Sequence, residues 1–358
     1  MRAVPTALRT ALQWLFGVLA ALACLVTLVS TIRSNQWWIR VLDFPRLLEL
    51  IAIVVIAVGC MLFLRRWRWP VVAALVLAAG WQAWRLYPYT VFAPVEVARA
   101  DTVRGIDPRS CFTILGLNVL QSNRDYAATL TTIEREQPDI LLLMETDRRW
   151  ERALAPVLRR YPHRLLRPID NTYGMLFATR LPVLSARIEN ITDRNTPSVY
   201  ARLKTRSGEA FGYLGLHPRP PRTGQDTSAR DAKIERAALA APDNLPVLAM
   251  GDFNDVPWSR TTQLFKKVGG FLDPRIGRGG YATFPADHAL FGWPLDQIFL
   301  TPDFVFRRLQ VLDDVGSDHR PLAAELCLAP GSAPDGNETV DDSAQARRRA
   351  ARAVRAIR

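Results

Sequence analysis

Asp318 and His319 stand side by side in GSDHRP (316–321), immediately before the alternating run PLAAELCLA. A carboxylate beside an imidazole can hold or move a proton near neutral pH. The pair is therefore either a reagent or a polar start to a strand. Other apolar stretches end on similar side chains: LGLNVL on Asn118, ILLLMET on Glu145, LGLHPRP on His217, and WPLDQIFL carries Asp296. In VLAMGDFND, Gly251 permits a tight turn while Asp252 and Asn254 alternate onto one face. One buried strand followed by a polar turn residue is ordinary. Recurrence within one region is not, because strand ends are where α/β sheets commonly build their sites.

The elements that must position these residues are legible as short apolar runs. CFTILGLNVL, DILLLMET, GMLFATR, FGYLGLH, LPVLAMGDFN, LDQIFLT and RPLAAELCLA read as strands, whereas DYAATLTTIEREQ and SARDAKIERAALAA read as helices. Strands mixed with helices over 109–330 predict an α/β domain, a four-layer sandwich of two packed mixed β-sheets flanked by helices. Residues 91–108 read as a stem with prolines and no sustained period.

The first 90 residues differ. Thr10–Ile32 is uncharged, Leu47–Leu64 carries only Glu49, and a shorter run begins at Trp69. Roughly 20 apolar residues cross a bilayer core, so three transmembrane helices are expected, at about 10–32, 47–64 and 69–86. Trp69, Trp81, Trp84 and Tyr87 suit a membrane interface. A cleaved signal peptide would explain only the first run, and no clear A-x-A site follows it; buried soluble helices are the alternative for the other two. With the N-terminus inside, the inner segments hold Arg2, Arg9, Arg65, Arg66 and Arg68 against Arg33, Arg40, Arg46 and Arg85 outside. This small bias places everything after Trp84 outside the cytoplasm.

The net charge of +12 does not by itself point to nucleic acid. Residues 1–104 hold 11 basic and 4 acidic side chains, whereas 105–330 hold 29 and 26. The excess thus belongs largely to the membrane flanks, and the domain is nearly balanced. After Pro330 the low-complexity stretch GSAPDGNETVDDSAQ and the basic ARRRAARAVRAIR, itself a candidate short helix, read as a disordered basic tail over 331–358, solvated or touching an anionic lipid or polymer.

Taken in order, N-V at 118–119, E-T at 145–146, G-D-F-N at 251–254, L-D at 295–296 and S-D-H-R-P at 317–321 resemble the endonuclease/exonuclease/phosphatase superfamily of metal-dependent phosphodiesterases, which includes DNase-I-like enzymes and sphingomyelinases. The resemblance covers 111–328. The anchored layout is most similar to bacterial inner-membrane members with an external catalytic domain. It implies a Mg²⁺ site (Mn²⁺ as a substitute) at Glu145 with Asn118 and Asp318. It also implies that His319 acts as general base or oxyanion stabiliser, with Asp296 fixing its tautomer. Asp252 would orient the attacking water, while Asn254 and His217 would meet the phosphate or leaving oxygen. Oxygen donors with waters suit a hard, partly hydrated cation, and no covalent intermediate is needed. The implied substrate is a phosphodiester, either nucleic acid or a phospholipid headgroup, with membrane lipid around the N-terminal helices and no obligate protein partner. A catalytically silent binding module or receptor on the same fold is the alternative.

The chain departs from the family pattern in places. NVLQSN lacks the acidic or small residue many members carry after the first-strand Asn, so Asn123 is a substitute substrate contact. Gln297 follows Asp296 where His or Tyr is frequent, and Tyr173 is either a phosphate-side hydroxyl or a core tyrosine. Family folds pair the first and last domain strands antiparallel. Cys111 and Cys327 could then meet, as a disulfide or as two buried thiols.

Overall fold

The computed structural model describes residues 6–190, 195–220, 224–242, 244–288, 291–330, 347–348, 350–352 and 354. The chain forms two compact units: residues 1–92 with 221–227, and residues 93–220 with 228–358.

The first unit is helical: α1 (Thr6–Ser30), the short α2 (Trp37–Arg40), α3 (Arg46–Phe63) and α4 (Arg68–Leu86). Ala20, Ile53, Cys60, Leu75 and Ala78 are buried between its helices, while Leu15, Leu22, Val55, Leu62 and Leu77 stay exposed. Among the described residues, only α1 and α3 are long and apolar enough to cross a membrane. The third expected span forms a helix but does not qualify, since α4 carries Arg68, Gln82 and Arg85. At one end of the bundle lies a buried ionic network. Asp43 bridges Arg40 (2.9 Å) and Arg46 (2.5 Å), and Arg46 donates to Gln82 Oε1 at 2.7 Å. Gln82 in turn donates to Glu49 at 2.6 Å. Within the same unit, Thr227 N donates to the Asn35 carbonyl at 2.8 Å.

The second unit is an α/β sandwich of two packed mixed sheets flanked by helices. Its elements are β1 (Cys111–Asn118), α5 (Tyr126–Glu136), β2 (Ile140–Met144), α6 (Arg148–Leu158), β3 (His163–Arg167), β4 (Met175–Thr179), β5 (Val183–Asn190), β6 (Pro197–Lys204), β7 (Ala210–Leu216), α7 (Ser228–Leu239), β8 (Val247–Asp252), α8 (Arg260–Gly269), β9 (Asp296–Leu300), β10 (Phe304–Val311) and β11 (Leu322–Leu328). One sheet has the order β10-β11-β1-β2-β4-β3, the other β5-β6-β7-β8-β9. Each contains one parallel pair, β1 with β2 and β7 with β8, and every other pairing is antiparallel.

Strand alternation sends one set of side chains inward and the other out under the helices. Ile114, Leu142 and Met144 meet Leu248, Met250 and Ile298 between the sheets. Leu115, Leu117, Leu141 and Leu143 face the other way, onto Ile133 of α5 and Trp150, Leu154 and Val157 of α6. Leu214, Leu216, Ala249 and Phe299 cover Ile234 and Ala237 of α7 and Phe265 of α8. The sheets approach closely at Gly116, where a Cβ would stand 2.5 Å from Met250 Cε.

The register pairs Cys111 with Cys327, and a disulfide joins them across β1 and β11. Of the tail expected to be disordered, residues 331–346 lie outside the described residues. Ala350, however, is fully buried in the cluster of Ile234, Ala237, Phe265 and Phe271, so this part of the basic segment presents an apolar face to the outer layer.

Candidate active site

The two parallel pairs explain why distant residues converge. β1 and β2 end together, delivering Asn118 and, one residue on, Glu145; β7 and β8 likewise deliver His217 and Asp252. β9 and β11 run against their neighbours, so their first residues lie at that same end. Asp296 begins β9 opposite Asp252, and Asp318-His319 precedes β11.

Asp252 is the hub, almost fully buried at 1% exposure. Its Oδ2 accepts from Asn118 Nδ2 at 3.1 Å and lies 3.7 Å from the Nε2 atoms of both His217 and His319. Its Oδ1 accepts the Asn254 backbone N–H at 2.8 Å, and its own N–H points to Met144 Sδ, 3.1 Å away. The preceding Gly251 has φ +143°, and a Cβ there would stand 1.9 Å from the Leu216 carbonyl oxygen. Only glycine lets β8 pass so close to β7 as it enters the site.

The two histidines on Asp252 are in opposite states. His319 Nδ1 faces Asp296 Oδ2 at 2.7 Å, and Phe284 packs against its ring. Burial opposes a charged ring, yet Asp296, Asp252 and Asp318 together hold its pKa up at about 10, so it is an imidazolium at neutral pH. His217 is buried against Tyr173, with ring centroids 5.3 Å apart. Burial pulls its pKa down to about 4, Asp252 opposing and Lys233 and His319 reinforcing, so it is neutral. Its Nδ1 is buried without a hydrogen-bond partner among the described residues, as is Asp296 Oδ1.

Glu145 has a left-handed backbone (φ 60°) and accepts from Asn118 Nδ2 at 3.0 Å and from Gln121 N at 3.3 Å. Burial pushes its carboxyl above the ordinary range; the two hydrogen bonds oppose this, and repulsion from Asp252 and Asp318 adds to it. Such crowding of oxygen donors fits a divalent cation. Among the described residues no three acidic, imidazole or thiol groups are placed together to hold a metal ion. Glu145 and Asp318 are the residues that would hold it. Asn118, the expected amide ligand, lies beside Glu145: its Oδ1 accepts from Leu120 N at 3.1 Å while its Nδ2 braces Glu145 and Asp252.

The structure brings Asn118, Glu145, His217, Asp252, Asn254, Asp296, Asp318 and His319 to one end of the sandwich, with Tyr173 against His217. Asn254, at φ 49°, has one amide hydrogen engaged by the Pro218 carbonyl at 2.9 Å. Asn123 is placed differently. Its Oδ1 caps Asp125 N and its Nδ2 donates to the Val315 carbonyl, so it ties the start of α5 to the GSDHRP loop. Sequence reasoning missed Ser317, whose Oγ donates to the Asn118 carbonyl at 2.7 Å and accepts His319 N at 3.1 Å. It also missed Gln121, beside Glu145 in a cleft of about 390 Å³ that Arg124, Arg149, Asp170 and Thr172 also line. Ser317 lies in the expected motif, but nothing in the type of either residue distinguishes it from other polar loop residues.

Fold and site together define a two-sheet α/β sandwich with an acid–imidazole centre at one end. The chain belongs to the Endonuclease/Exonuclease/phosphatase family, whose model matches residues 114–319, and is a phosphoesterase-type hydrolase. Similar solved structures include humanized D. rerio TDP2 (19% identity, 61% of this chain and 99% of that one, TM-score 0.50). The human Nocturnin catalytic domain with bound sulfate is similar at 17% identity over 63% and 97%, TM-score 0.50. A family protein from Beutenbergia cavernae is similar at 16% over 63% and 73%, TM-score 0.51. At these identities the likeness is one of fold. No curated protein sequence matches the chain.

Proposed function

We propose that the α/β unit hydrolyses a phosphodiester by direct attack of water, with Mg²⁺ or Mn²⁺ held at Glu145 and Asp318. A bound cation supplies charge neutralisation at a phosphoryl oxygen. The observation that carries this reading is the buried Asp252 carboxylate between two imidazoles, its Oδ2 3.7 Å from the Nε2 of each. Asp252 orients water and accepts its proton, because Asn118 and the Asn254 amide fix both of its oxygens. His319, charged and held by Asp296, donates from Nε2 to charge developing on phosphorus oxygens. His217, neutral, offers a polar edge without adding charge, and Asn254 retains an amide hydrogen for a phosphate oxygen.

The helical unit serves as the anchor in this proposal: a bacterial inner-membrane protein with its catalytic unit outside the cytoplasm. Two apolar helices support the anchor. The Cys111–Cys327 disulfide supports an oxidising compartment. Nucleic acid and phospholipid headgroups are the two substrate classes. The near-balanced charge of 105–330 lacks the excess of a long nucleic-acid track, and tethering favours the lipid.

Purified full-length protein in detergent, with Mg²⁺, should hydrolyse bis(p-nitrophenyl) phosphate and lose activity in EDTA. Asp252→Ala and His319→Ala should each abolish turnover; undiminished activity in both would overturn the assignment. An inactive wild type that binds phosphodiesters would select the silent-module reading. Rates on DNA, RNA, sphingomyelin and phosphoinositides then separate the substrates.

A further inference from the structure

Two buried cations stand three residues apart on α7, away from the reacting groups. Arg230 and Lys233 are 3% and 1% exposed, and the i,i+3 spacing puts them on one helix face. Lys233 Nζ donates to the carbonyls of Thr196 (2.8 Å) and His217 (3.2 Å). Arg230 Nη1 donates to the Asn254 carbonyl at 3.0 Å, while Nη2 pairs with Asp231 (2.9 Å) and Asp255 (3.1 Å).

We infer that Arg230 and Lys233 are positioning residues: one helix face holds the two catalytic turns by their backbone carbonyls, so that His217 and Asn254 both address Asp252. The β7–β8 ladder ends at Leu216 opposite Gly251, so no strand pairing fixes His217 or Asn254 beyond it. Asn254 also adopts a left-handed backbone (φ 49°) that needs support from its surroundings. Its carbonyl is held by Arg230 and its side chain by Pro218, the residue after His217, which ties the two turns to each other. An apolar side chain would fill the site of Lys233 without the desolvation of a buried ammonium. Carbonyl acceptors beside the catalytic centre give that ammonium a role.

The inference rests on the proposed reaction, so its test includes a readout independent of turnover. The full-length protein is compared with Lys233→Met, Lys233→Arg and Arg230→Lys. In Lys233→Met, kcat on bis(p-nitrophenyl) phosphate should fall about 10- to 100-fold with KM nearly unchanged, as for misplaced catalytic groups; Lys233→Arg should recover most of it. Histidine-labelled NMR has only four rings to resolve. There the His217 signal should move and its titration midpoint rise in Lys233→Met, with His163 and His288 unaffected. Wild-type kcat together with an unmoved His217 signal would overturn the inference. If Lys233→Met loses its cooperative melt, Arg230→Lys carries the test, and an unchanged kcat there counts against positioning. A wild type inactive on every phosphodiester would instead fail the functional reading, while the NMR comparison still decides the clamp.

Discussion

Two of the protein's buried ionic networks, one in each unit, differ in the partner given to each carboxylate. In the helical unit Asp43 lies between Arg40 and Arg46, and Gln82 links Arg46 to Glu49. Guanidinium groups keep their charge at any ordinary pH and grip carboxylates with a rigid fork. That network is a lock between helix ends. In the α/β unit Asp252 and Asp296 face imidazoles, and Glu145 faces an amide and other carboxylates. The partners there are imidazole, amide and carboxylate groups instead of fixed guanidinium charges. Burial of charge is common to both, and the chemistry follows from the identity of the counter-charge.

Matched substitutions should drive the two networks apart. His319→Gln, which retains a donor toward Asp296, is expected to reduce turnover by about 10²- to 10⁴-fold with the fold intact; steady-state rates beside a thermal melt check this. Arg46→Met leaves Asp43 short of a partner and should destabilise by about 3–5 kcal/mol, with turnover per folded molecule unchanged. A drop in specific activity would show that the lock also serves catalysis. Reducing Cys111–Cys327, or replacing both by serine, should lower stability by about 2–4 kcal/mol without changing kcat, since the bond closes a 216-residue separation.

The two histidines also give the α/β unit a pH dependence. The pKa of His217 is about 4 in the folded state, below the unfolded value of about 6.5. The unfolded chain therefore takes up the proton first, and stability is lost as pH falls from about 6.5 to 4, by at most about 3 kcal/mol. His319, raised to about 10, has the opposite sign: its contribution is complete below about 6.5 and is lost as pH rises toward 10. Stability should therefore peak near pH 6.5, and an urea-denaturation series from pH 4 to 10 without a maximum there would contradict these two environments.

The strands that carry the site were the legible ones. β1, β2, β7, β8, β9 and β11 lie inside their sheets or beside the central pairs, and their sequences are nearly continuous apolar runs. β3 (HRLLR), β5 (VLSARIEN) and β10 (FVFRRLQV) are edge strands with exposed arginines and a weak pattern. α6 keeps a clear helical period, with Trp150, Leu154, Val157 and Leu158 buried on one face, and the Pro156 within it is what argues against a helix. In the site, carboxylates and imidazoles announce themselves by type. Asn123 has the right type and neighbourhood, yet its polar groups serve two backbone partners. Ser317 and Lys233 act through carbonyls, and a carbonyl leaves no trace in a sequence.

Segment 221–227 folds with residues 1–92, although it lies within the sequence of the α/β unit. The chain therefore passes between the units at three peptide positions. A protease that cuts the stem after residue 92 severs the only covalent link from the N-terminal helices to the rest. The freed fragment still carries 221–227, with Thr227 bonded to Asn35. Release of the α/β unit then also requires the Thr227–Asn35 hydrogen bond to open.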